Sequence, residues 1–144
     1  MKNNEKGITL VALVITIIVL LILAGVTILA LSGDNGILNR ASQSKVSTEI
    51  ANAKDAFTTV AAEGITEYYN SKYVEGNNTE TATLQKTVYD KITNSSISST
   101  FVNTTSSTSP STIVTNVNDA TGAALTATID TNGKIAWTND KMTK

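Results

Sequence analysis

Between Lys6 and Asp34 the chain carries no charged side chain, and from Ile8 to Leu31 it offers 24 uncharged, mostly apolar residues in one run. Coiled into a helix rising about 1.5 Å per residue, such a run covers roughly 36 Å, enough to cross a hydrocarbon layer of about 30 Å. Lys2 and Lys6 precede the run and Asp34 follows it. The positive-inside bias therefore predicts residues 1–7 in the cytoplasm and residues 33–144 on the far side of the membrane.

The remainder has room for one soluble domain of about a hundred residues. With 11 basic and 12 acidic residues, scattered along the chain, nothing favours direct binding of nucleic acid. The sequence has no cysteine and no histidine. That removes disulfides, thiolate metal sites, cysteine nucleophiles and the commonest general base, so neither an enzyme nor a cofactor or metal site is expected.

Three fates are open to the apolar run. It can be a secretory signal removed after Ala30-Leu31-Ser32, although its apolar part exceeds the usual ~7–15 residues. It can be an uncleaved signal anchor, which length and orientation alone would favour. Or it can be a working part of the protein. The order of residues bears on the choice: a very short polar leader ends in Lys6-Gly7, and Ile8-Thr9-Leu10 opens the apolar run without a gap.

This arrangement resembles the leader of type IV pilins and related pseudopilins. The resemblance implies a prepilin peptidase that recognises Lys6, Gly7, Thr9 and Leu10, cuts between Gly7 and Ile8, and methylates the new amino group of Ile8. Residues 1–7 would be the leader, 8–32 a transmembrane and assembly helix, and 33–144 an exported pilin-like domain. The family usually carries a glutamate where this chain has Ala12. The implied function is a structural subunit of a type IV pilus or pseudopilus, polymerised through its N-terminal helix. Implied partners are the peptidase, an ATP-driven assembly platform, copies of the chain, other pilin subunits and the membrane. The subunit would sit in the cytoplasmic membrane and then in a surface filament serving adhesion, twitching motility, DNA uptake or secretion. The alternative from another class is a surface-exposed binding module on an uncleaved anchor.

The following residues fit a pilin-like α+β fold, in which a long N-terminal helix packs on a C-terminal antiparallel sheet. Apolar residues recur at Ile37, Ala41, Val46, Ile50, Ala53, Phe57, Val60, Ala61, Ile65 and Tyr68, close to the three-four spacing of one helical face. Gly33 and Gly36 predict a bend or local melting between the two halves, and Gly25 a second weak point. Small residues at Ala12, Ala24, Gly25 and Ala30 would let neighbouring helices approach closely.

Further along, Leu84, Val88 and Ile92 predict a short helix over Thr81–Ile92. Asn94–Ser111 reads as a Ser/Thr/Asn-rich loop with a brief edge strand at Thr100–Asn103. Strands are predicted over Ser111–Val117, Ala123–Ile129 and Lys134–Thr138, joined as a meander by turns at Asp119–Gly122 and Asp130–Gly133. Val114, Ile113, Leu125, Ala127, Ile129, Ile135 and Trp137 are the expected inner residues. Asp130-Thr131-Asn132-Gly133 reads as a hairpin turn rather than a calcium loop, because the other ligands of that pattern are missing. Tyr68, Tyr69 and Tyr73 are placed as caps of the helix–sheet core, or else as a binding patch. Asn77, Asn94 and Asn103 head Asn-x-Ser/Thr sequons.

Overall fold

The computed structural model describes residues 3–33, 36–74, 83–105 and 108–142. It contains α1 (Asn3–Ser32), α2 (Ile37–Tyr73), α3 (Leu84–Asn94), α4 (Ser98–Phe101), β1 (Thr112–Asn118), β2 (Ala124–Ile129) and β3 (Ile135–Thr138). Two compact units divide the chain at residues 1–42 and 43–144, so α2 begins in the first and continues through the second.

In the first unit α1 runs unbroken through Gly25, where the sequence predicts a weak point. A single glycine costs about 1 kcal/mol in a helix, too little to interrupt one of this length. The interruption comes at Gly33 and Gly36. Gly33 N–H still donates to Leu29 O at 2.9 Å, Gly36 N–H donates to Gly33 O at 2.7 Å, and Arg40 N–H donates to Gly36 O at 3.1 Å. Gly36 is buried. A Cβ there would lie 2.5 Å from Leu31 O and 2.8 Å from Gly33 O, so the backbone itself demands glycine.

In the second unit α2 packs on a three-stranded antiparallel sheet of order β1-β2-β3. Thr112 pairs with Thr128 and Ile113 with Ala127; Ala127 in turn faces Trp137, and Ile129 faces Ile135. Asp119 and Asp130 build the two turns alike. Each carboxylate accepts two backbone N–H groups, and Gly122 and Gly133 take the positive φ values of 86° and 78°.

The core follows from this alternation. Phe57, Val60 and Ala61 of α2 meet Leu84, Val88 and Ile92 of α3 and Ile113, Ala127 and Ile129 of the sheet. Ile50, Ala53, Val117 and Leu125 form a second cluster, and Phe101 and Trp137 pack against both. Phe57 and Trp137 meet edge to face, their ring centroids 5.3 Å apart.

Several expectations are corrected. Ile37 is 71% exposed and Ala41 is exposed too. The step of five residues from Ala41 to Val46 advances a helix by about 500°, or about 140° past a full turn, so the earlier residues leave the stripe that the later ones continue. Val114 does not face the core; strand alternation puts Thr115 there, 1% exposed, with its hydroxyl donating to Val117 O and accepting from Val117 N–H. The predicted edge strand at Thr100–Asn103 is instead the end of α4 plus a single antiparallel bridge from Val102 to Thr115. The helical turn brings Ile97 and Phe101 together against the core, which an extended segment would not do. α3 begins at Leu84, capped by the Thr83 hydroxyl accepting from Lys86 N–H; Thr81 lies outside the described residues.

Candidate functional site

The motif residues lie in the first turns of α1. Thr9 Oγ1 donates to Lys6 O at 3.0 Å and to Glu5 O at 3.2 Å, satisfying its hydroxyl within the helix. Thr16 and Thr27 do the same with Leu13 O and Leu23 O. This matters in an apolar medium, where an unpaired hydroxyl is costly. Gly7 stands in open space: a Cβ built on it meets nothing within 4 Å. Ile8 and Leu10 are 68% and 63% exposed, and every residue from Glu5 to Ser32 is exposed.

Thus α1 is apolar all round, is long enough to cross a membrane, and has none of its most apolar stretch buried in the chain. A soluble chain hides such a surface; lipid or other helices can cover it. The small residues of α1 do not form one stripe. Ala12 and Ala30, eighteen residues apart, share a face, since eighteen residues make about five turns. Ala24 and Gly25 fall on other sides.

The aromatic group divides. Tyr68 packs against the core, whereas Tyr69 and Tyr73 are 46% and 70% exposed and stacked at 5.9 Å between centroids. Lys72 Nζ lies 5.5 Å from the centre of the Tyr68 ring and 5.6 Å from that of Tyr73. Its pKa is raised, chiefly by the hydrogen bond to the Tyr68 hydroxyl. Asn94 closes α3, Asn103 accepts from Thr105 N–H and Oγ1, and Asn77 lies outside the described residues.

Three features escape a reading of the sequence. Gly64 is buried where α2 crosses α3; a Cβ there would lie 3.1 Å from Val88 Cα and 3.2 Å from Lys91 Cβ. A lone glycine within an amphipathic pattern is the only trace of this crossing. Beside it, an open groove of about 610 Å³ is lined by Glu63, Glu67, Asn70 and Lys91, with Lys91 donating to Glu67 at 2.8 Å. That pair raises the Lys91 pKa. Finally, residues after β3 tie back to the domain: Lys54 Nζ meets Asp140 Oδ2 at 2.7 Å, Ala120 N–H donates to Lys141 O, and Asn139 Nδ2 donates to Ala124 O. Lys54 holds the Asp140 carboxyl below the usual carboxylate range. The Asp119 carboxyl is lowered too, first by the Thr121 hydroxyl and against a desolvation cost. Among the described residues, no three acidic side chains converge as a metal set.

Comparison with protein-family models, curated proteins and solved structures finds no match to the chain.

Proposed function

We propose that the chain is a pilin-like structural subunit, held in a membrane by α1, processed between Gly7 and Ile8, and polymerised through α1 into a surface filament. The observation that carries this reading is an apolar helix, exposed along its whole length, leading into an amphipathic helix that packs on an antiparallel sheet. Such a helix needs two environments in turn: lipid while the subunit waits, and other helices once it is assembled. Because lipid tails are as apolar as α1, assembly rests on packing and specific contacts rather than on the hydrophobic effect. With Ala12 in α1, no acid lies within the span, so the contacts between spans are those of apolar and hydroxyl side chains.

Gly7→Val in the native host tests the proposal. No atom lies within 4 Å of the added Cβ, and Gly7 stands far along the chain from the second unit, so the substitution has no steric obstacle at Cβ. The expected result is a full-length chain retained in membranes and absent from filaments sheared off the cells. Unchanged chain length and an unchanged sheared fraction would contradict the proposal and favour a module on a permanent anchor.

A further inference from the structure

We propose that the first turn of α2 is a second membrane contact, an interfacial anchor in which Ile37 and Leu38 enter the bilayer boundary where α1 ends and Arg40 pairs with lipid phosphates. The inference rests on reading α1 as a membrane span.

Three observations within residues 1–42 point to it. The apolar surface of α1 does not stop at its last turn. Leu31 is 44% exposed, and beyond the break Ile37 and Leu38 are 71% and 58% exposed, so exposed apolar surface resumes as soon as the helix does. Five Cα steps separate Ser32 from Ile37, which keeps Ile37 within about 18 Å of the end of α1 even if fully extended. The headgroup region adds only about 5–8 Å on each side of the hydrocarbon, and the Gly36 N–H bond to Gly33 O keeps the break well short of its extended limit.

At the two described ends of the break, Gly33 and Gly36 are bonded within the chain. Gly33 O accepts from Gly36 N–H at 2.7 Å and from Asn39 Nδ2 at 3.2 Å, while Gly33 N–H donates to Leu29 O. Bonds of this kind are common at helix ends in water, and they also let such a turn sit at the edge of a hydrocarbon layer, where unpaired backbone groups are costly. The third observation is charge. Arg40 is the only arginine of the chain, it is exposed, and it stands directly behind the apolar pair. A guanidinium pairs with phosphate in two-pronged fashion, and its aliphatic stem can lie along apolar surface while the head reaches the lipid headgroups. An exposed apolar pair with one guanidinium behind it can rest at a membrane boundary, the stem along the apolar surface and the head among the phosphates.

The absence of cysteine allows one nitroxide to be placed at will on the full chain, reconstituted in bilayers. Leu20→Cys reports the middle of the span, Leu38→Cys the proposed anchor, and Thr66→Cys the exported domain. Accessibility to dissolved oxygen against a water-soluble nickel chelate is read in phosphatidylcholine and in bilayers that also contain phosphatidylglycerol. The inference predicts a deep Leu20, a Leu38 at interfacial depth and an aqueous Thr66. It also predicts that Leu38 moves deeper in the anionic bilayer, and that Arg40→Gln abolishes that shift. Inorganic phosphate at constant ionic strength should leave Leu38 unmoved, since the phosphate is that of lipid.

A deep Leu20 with an aqueous Leu38 would overturn the inference and leave the span intact. An aqueous Leu20 would overturn both. Leu38 shielded from oxygen and nickel alike, with dipolar broadening between labels, would overturn it in favour of a second copy of the chain as the covering partner.

Discussion

At the scale of single residues, a close backbone constraint in the second unit is Gly64. Its hypothetical Cβ meets backbone and a Cβ of α3, not the free end of a flexible chain, so Gly64→Ala requires α3 to give by a few tenths of an ångström. Overpacking of this kind costs roughly 1–3 kcal/mol. A urea titration of the full chain in detergent should show the midpoint falling without a change in slope; an unmoved midpoint would mean the crossing is looser than described.

Two aspartates tied to the domain contribute to its stability toward acid. Both Asp119 and Asp140 have folded-state pKa values below their unfolded ones. Their stabilisation is therefore present above the unfolded value, about pH 3.9, and is lost as pH falls through the folded value. Melting temperature should drop below about pH 4, and Asp119→Asn should flatten part of that drop. Lys72 and Lys91 act in the opposite sense. Their raised values contribute fully below the unfolded lysine pKa, and the contribution is lost as pH rises through the folded one.

At the scale of elements, α1 is defined by what it lacks. A cation at the centre of a spanning helix costs about 2.5–3.5 kcal/mol on the insertion scale. Leu20→Arg should accordingly shift much of the chain from the carbonate-resistant membrane fraction to the soluble one. Full retention in the membrane would argue that α1 is covered by protein rather than lipid. Such composition signals are legible because they do not depend on tertiary contacts, and the three strands and both Asp-x-x-Gly turns are legible for the same reason. Each strand lies within one residue of its predicted bounds at both ends. What eluded the sequence depends on partners distant in the chain. Thr115 is an inner residue because strand phase puts it there, and α4 exists because Ile97 and Phe101 find the core from a helical turn. Ile37 and Ala41 sit off the core stripe because one irregular step shifts their phase. In the candidate site, the proposed cleavage motif is a matter of order along the chain, whereas the satisfied threonine hydroxyls and the built break at Gly36 appear only in three dimensions.

At the scale of the whole molecule, two units have opposite needs. The second is self-sufficient: its apolar side chains meet one another, and its turns, caps and C-terminal ties close locally. The first is not, because α1 satisfies its threonine hydroxyls internally but leaves its apolar surface outward. A chain divided in this way suits a subunit that is stored in lipid and then surrounded by its own kind. Removal of residues 1–7 is the step that would commit it to that course. The most direct measurement is therefore the N-terminus of the chain from its native host, read by mass spectrometry. The account predicts a chain that starts at Ile8 and carries an N-methyl group; a chain starting at Met1, or at Gly33, would contradict it.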